Sequence, residues 1–260
     1  MGSADISIVV LDPSFRKITG SSPQVSICLE NLDVPLFHEA GVFIEDTCEL
    51  FVTSNQYEDQ DGKKIIRISK INIAGEPYSC KTIFPNILMA NGGVNYQDGI
   101  LFCDQGNLTQ PGGLIYMSIQ PPYQTETIVS GFMGVSFNSV NDVVVAKDGA
   151  IWFTDPIYGY EQGIRPVPKL PPQIYRFDPS SKNIRAMADG FGRPNGIAFS
   201  PNESVLYITV SLAMSSSSLF SRSQDPKNPI ANSFKLIFVR ILIIFMATEV
   251  KTQCVLRLCT

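Results

Sequence analysis

Four residues carrying hard oxygen atoms stand at matching points along the chain: Glu39, Asn91, Asn141 and Asn195. They recur about every fifty residues, the period of a propeller blade. Each opens a short apolar run, EAGVFI, NGGVNY, NDVVVA and NGIAFS in turn. A second apolar strand follows each one: LFVTS, ILFCD, IWFTD and LYITV. If successive repeats pack around one axis, the carboxylate and the amides converge on one mouth of a channel. Such oxygens suit calcium, which accepts carboxylate and carbonyl donors in flexible geometry. Zinc fits poorly, because His38 is the sole histidine and no Cys-x-x-Cys pair exists. Asn-Gly and Asn-Asp are also ordinary turn residues at strand entries. One such pair alone reads as a turn, and recurrence in register sets the metal reading beside it.

The elements that must position these residues are short strands. Asp61-Gly62, Asp98-Gly99 and Asp148-Gly149 fall between apolar runs and predict hairpin turns. QVSICLE (24–30) alternates like an edge strand, and residues 1–23 read as an irregular lead-in. YGYEQGIRPVPKLPPQ (158–173) is a long Pro-rich connection, which reads equally as a wall of the mouth and as a spacer. His38 precedes Glu39 and by strand alternation points to the opposite side, unless a bend returns it to the mouth. Cys48 and Cys103 fall on predicted strands as buried thiols. An EF-hand at Asp59–Gly62 is rejected, since its glycine comes too early.

Several longer segments resemble the gluconolactonase/regucalcin superfamily, most closely its fungal lactonohydrolase branch. They are HEAGVFIEDTCELFVTSNQ (38–56), NSVNDVVVAKDGAIWFTDPIYGYEQGIRP (138–166), QIYRFDP (173–179) and RPNGIAFSPNESVLYIT (193–209). The resemblance implies an all-β, six-bladed β-propeller fold with calcium in the central channel, and hydrolysis of lactones. It implies Glu39, Asn141 and Asn195 as metal ligands, with another divalent ion as an alternative to calcium. Asp142 then sits behind Asn141 and orients it, and Asn91 and His38 border the metal or the substrate. The resemblance runs over residues 24–209 and accounts for roughly three to four blades of the propeller. Val135, Ser136 and Val140 stand where the family often shows Arg, Gln and Pro.

Beyond Thr209 the repeat breaks. The family usually continues this strand with Asp, where the chain has Val210-Ser211, a pair that a common intron start encodes. Residues 210–260 therefore read as an aberrant or disordered tail that is not selected protein, and the general base of the family is expected in the missing blades. KLIFVRILIIFMA (235–247) is too short for a membrane span and is interrupted by Arg240.

Composition narrows the class further. The chain has 260 residues, 44% of them hydrophobic, and a net charge of −4. That is enough for a sizeable core, and it lacks the basic patch a nucleic-acid surface would need. The first ten residues lack the pattern of a secretory signal, which leaves the compartment open. A serine hydrolase is disfavoured, because Gly134–Asn138 lacks the last glycine of a nucleophile elbow. The expected partner is a small lactone. The alternatives are a non-enzymatic propeller that only binds, and an inactive product that cannot close its ring.

Overall fold

The computed structural model describes residues 12–21, 29–31 and 33–211. Most of the expected 24–30 strand and all but the first two residues of the expected 210–260 tail lie outside them; Leu29 and Glu30 form no strand. The chain divides into two compact units, and the described residues up to Pro35 belong to the first. In that unit Asp12 caps a 3-10 turn (Pro13–Phe15) by accepting the Ser14 N–H at 2.8 Å. A single helical turn, α1 (Arg16–Thr19), follows and ends at Gly20, whose φ is +77°.

The second unit begins at Leu36 and is built from short antiparallel strands. The first group is β1 (Glu39–Ile44), β2 (Glu49–Thr53), a small hairpin β3 (Tyr57–Glu58) and β4 (Lys64–Ile65), then β5 (Ile68–Asn72) and β6 (Ser79–Ile83). Next come β7 (Ala90–Tyr96), β8 (Gly99–Gly106), β9 (Pro111–Ser118) and β10 (Thr125–Val129). A ribbon of β11 (Gly131–Phe132) and β12 (Val135–Ser136) leads to β13 (Val143–Val145) and β14 (Ile151–Asp155). The helical turn α2 (Tyr158–Glu161) precedes β15 (Gln173–Asp178) and β16 (Asn183–Ala188), and β17 (Pro194–Phe199) with β18 (Leu206–Val210) completes the series. They form sheets in the orders β1-β2-β5-β6, β7-β8-β9-β10 and β13-β14-β15-β16, with β17-β18 as a two-stranded fourth. The first strands stand side by side, β1 against β7, β7 against β13 and β13 against β17. Up-and-down sheets with their first strands gathered in this way are propeller-like.

Three buried clusters lie between successive sheets. Phe51, Ile68 and Ile83 of the first sheet meet Ile100, Phe102 and Met117 of the second. Leu101, Cys103 and Leu114 meet Ile151, Phe153 and Tyr175 of the third. Trp152 and Ile174 meet Ile197, Leu206 and Ile208 of the fourth. Strand periodicity explains the partition, since neighbouring residues point to opposite faces. Ile100 and Phe102 face back to the first sheet while Leu101 and Cys103 face on to the third. A strand buried on both faces shows an unbroken apolar run, which is why ILFC and IWF lack alternation.

The turns are mostly where the Asp-Gly pairs place them, with one shift. Gly62 and Gly149 take positive φ of +72° and +82° in their turns. At the second site the turn is Gln97-Asp98, with Gln97 at φ +53°, and Gly99 already belongs to β8. A β carbon on Gly99 would lie 2.4 Å from the Met117 carbonyl oxygen, so close strand packing fixes that glycine. Cys48 also departs from expectation. It ends a 3-10 turn with φ +50°, just before β2, and is half-buried rather than a core thiol. Cys103 is fully buried on β8. No helix among the described residues is long and apolar enough to cross a membrane.

Candidate functional site

Register shifts interrupt the first strand of three sheets at one equivalent place. They fall between Glu39 and Val42, between Ala90 and Gly93, and between Pro194 and Ile197. A β-bulge bends its strand and re-aims the side chains around it. Asn91 and Asn195 lie inside their bulges, whereas Glu39 is the last paired residue before its own. In the third sheet Asn141 lies just ahead of β13, where its N–H donates to the Thr154 carbonyl at 3.0 Å.

Hydrogen bonds join these positions from sheet to sheet. The Thr53 hydroxyl donates to the Asn91 carbonyl at 3.1 Å. The Gly92 N–H donates to the Asn141 carbonyl at 2.8 Å. The Thr154 hydroxyl donates to the Asn195 carbonyl at 2.8 Å and accepts the Asp142 N–H at 3.1 Å. Glu39, in turn, pairs with Thr53 across β1 and β2. The four residues are thus tied along one row of adjoining strands. Gly92 is required for this closeness, because a β carbon there would lie 2.6 Å from the Asn141 carbonyl and 2.7 Å from Asp142 Oδ1.

The acidic groups divide into two kinds. Asp104 accepts the N–H groups of Leu88, Met89 and Gly106. Asp155 accepts those of Asn138 and Ser139, at 2.9 and 2.8 Å. Asp142 accepts the Val143 N–H and, from the next sheet, the Ile197 N–H, both at 2.9 Å. These three brace loops and strands, and Asp142 joins β13 to β17 instead of bonding the Asn141 amide. Among the described residues no backbone N–H donates to Glu39; its neighbour is His38, with Nε2 3.9 Å from Oε1. Burial, with the like charge of Asp142, pushes the Glu39 carboxyl up to about 7. Burial alone holds His38 below its ordinary value.

His38 does not face away. The bend at Ala40, φ +51°, accompanies the β1 bulge, and His38 lines one cavity with Thr53, Asn91 and Gln105. Asn195 Nδ2 donates to the Tyr158 hydroxyl at 3.3 Å and to Ser211 Oγ at 3.4 Å. The Tyr158 hydroxyl donates to Ser211 Oγ at 2.8 Å, so Ser211, just after β18, borders Asn195.

The Pro-rich connection is fastened to the body by Arg165. Its guanidinium donates to the carbonyls of Asn107, Gln110, Phe137 and Asn138 at 2.7–2.9 Å. Glu161 grips Arg193 ahead of β17, with Nη2 to Oε1 at 2.6 Å. Lys64 of the β3–β4 hairpin donates to the Gln162 carbonyl at 2.5 Å. The connection is therefore a fixed wall at these points. Sequence reading missed Thr154, Tyr158, Gln105 and Arg165. Thr53, Thr154 and Thr209 recur in phase before the strand ends, a signal that could have flagged the first of them.

Among the described residues no three His, Cys, Asp or Glu side chains gather as a metal cluster. An ion here would rest on one carboxylate and several amide oxygens. That donor set is hard and partly neutral, which fits calcium and not a soft metal. The site also welcomes a positive charge, since Glu39 ionises against burial and against Asp142.

The sheets and their gathered first strands define a propeller-like β protein. The SMP-30/Gluconolactonase/LRE-like region matches residues 59–224, and the chain belongs to that family. The match continues past the break in the repeat at Thr209. Lactonohydrolase oryL of Aspergillus oryzae is 27% identical over 205 residues, covering 75% of this chain and 44% of that protein. The gluconolactonase of Zymomonas mobilis is 36% identical over 90 residues, 33% of this chain and 24% of that one. A gluconolactonase structure from Xanthomonas campestris superposes with a TM-score of 0.60 at 25% identity, over 78% of this chain and 62% of that one. The chain thus spans less than half the length of the curated relatives it matches.

Proposed function

We propose that the chain carries the site of a calcium-dependent lactone hydrolase that opens a sugar-acid or related lactone to its hydroxy acid. On this reading the stacked sheets are blades of a six-bladed propeller. The observation that supports the proposal is the row of first strands, three of them bulged, along which hydrogen bonds link Asn91, Asn141 and Asn195 from sheet to sheet, with Glu39 at the start of the row. Family membership and the lactonohydrolase and gluconolactonase relatives support the reaction class.

Glu39, Asn141 and Asn195 would hold the ion, with Asn91 beside them. When bound, the ion would supply Lewis-acid polarisation of the lactone carbonyl and stabilise developing oxyanion charge. The residues of the chain do the positioning. Glu39 is a half-buried carboxylate that accepts no backbone N–H among the described residues, so its oxygens are available to a cation. Asp142 holds β13 against β17 and thereby fixes the spacing between Asn141 and Asn195. Tyr158 and Ser211 restrain the Asn195 amide. Asp104, Asp142 and Asp155 are committed to backbone N–H groups and serve as braces, not as the base.

The test is acid release from a panel of aldonic and pantoic lactones, with calcium and then with a chelator. Activity that needs calcium and is abolished by Glu39→Gln supports the proposal. Calcium-independent turnover, or turnover unchanged in Glu39→Gln, overturns it. The binding-only alternative predicts a folded chain that shows neither calcium binding by calorimetry nor acid release.

A further inference from the structure

Beside the proposed ion site lies a small cavity lined by His38, Thr53, Gln56, Asn91, Gln105 and Gln162, among others. Three of these carry buried amide oxygens with no hydrogen-bond partner among the described residues: Gln56 Oε1, Asn91 Oδ1 and Gln105 Oε1. Orphaned buried acceptors are uncommon and costly, and three in one cavity call for a ligand. Their backbones are firmly held. The Gln105 N–H donates to the Met89 carbonyl at 3.0 Å, and the Asn91 carbonyl accepts from Thr53. The Gln56 N–H is taken by Asn55 Oδ1 at 2.8 Å. Only the amide heads are uncommitted, and Gln105 is 2% exposed.

The chemistry of the lining selects the ligand. No Asp, Glu, Lys or Arg borders this cavity. A cation there would be buried without a counter-charge, which is costly. A hydroxyl group is a neutral donor and satisfies an amide oxygen without that penalty. The cavity volume is about 30 Å³, which takes one or two water-sized groups and not a whole ring. It borders Asn91 and His38, next to Glu39, so a molecule held at the mouth could extend one arm into it.

We infer that Gln56, Asn91 and Gln105 form a hydroxyl-binding subsite that takes a hydroxylated arm of the substrate, selecting polyhydroxylated over plain lactones. The identity of the substrate rests on the lactonase reading; the existence of the subsite does not. Gln105 and Gln56 act as specificity residues away from the ion, so their loss should be felt by hydroxylated ligands alone.

The experiment has two arms on the full chain. Turnover of glucono-δ-lactone and of unsubstituted δ-valerolactone is compared in the wild type, Gln105→Leu and Gln56→Leu. The expected result is a fall of about tenfold or more in kcat/KM for the hydroxylated lactone, with the plain one unchanged. In the second arm, sorbitol is titrated while the side-chain amide resonances of Gln56 and Gln105 are followed by NMR. Shifts that saturate in the wild type and vanish in Gln105→Leu establish the subsite, even in a chain that turns over no lactone; that outcome would sink the lactonase reading alone. Unmoved amide resonances, or equal losses on both lactones in both variants, overturn the subsite and leave the amides to water.

Discussion

At the residue scale, Thr154 shows how little chemistry can join two sheets. One hydroxyl donates to the Asn195 carbonyl and accepts the Asp142 N–H. Thr154→Val keeps the shape and removes both bonds, leaving buried groups unpaired. The expected cost is about 1–3 kcal/mol in urea unfolding, with weaker calcium binding by titration calorimetry. Asp155 offers a pH test. Burial pushes its carboxyl up to about 7, against the Asn138 and Ser139 N–H groups and Arg165. The folded chain then holds this proton more tightly than the unfolded chain, where Asp titrates near 4. Its contribution is fully present below about pH 4 and is lost as pH rises through about 7. Asp155→Asn should flatten this slope in urea midpoints measured between about pH 5 and about pH 8. The variant should also be less stable throughout, since Asn138 and Ser139 donate to different Asp155 oxygens and the amide NH2 would face one of those N–H groups. The Glu39 and Asn positions were legible because they recur in phase. Gln105 was not, because a Gln after a strand-ending Asp looks like any turn residue until distant segments close a cavity around it.

At the element scale, strands read well where both faces are buried and badly where backbone geometry decides. The runs ILFC and IWF announce strands packed between two sheets, and β8 and β14 are such strands. The bulges carry no composition of their own, which is why alternation turned His38 away from the mouth. Cys48 failed for a similar reason, since a left-handed turn residue is set by its loop and not by its apolar character. The Pro-rich connection could not be sorted into wall or spacer because its anchor, Arg165, bonds to carbonyls far away in sequence. Arg165→Lys preserves the charge but replaces a planar fork by a point donor that cannot span those carbonyls. The expected loss is about 3 kcal/mol, read from urea unfolding, with a lowered kcat for any lactone that is turned over.

At the scale of the whole molecule, the described residues pack across three sheet interfaces. Among the described residues the fourth sheet has two strands, and Trp152 meets it edge-on to Phe199, 5.7 Å between ring centres. Trp152 is the single tryptophan of the chain, so its emission reports this one interface. In urea its red shift should precede the loss of far-UV circular dichroism, and Phe199→Ala should widen the gap by about 1–3 kcal/mol. Coincident transitions in the wild type and the variant would show that the fourth sheet unfolds with the rest. The number of blades was legible only as far as the repeats ran, because a ring closes through contacts that no single repeat encodes.

The row of bonds running through Asn91, Asn141 and Asn195 has a further consequence. The segments that would grasp an ion are the same ones that clasp each sheet to the next. Occupancy and assembly are then two readings of one equilibrium. An ion at the mouth works as a keystone, and each tenfold excess over its dissociation constant adds about 1.4 kcal/mol to the resistance of the whole arch against opening.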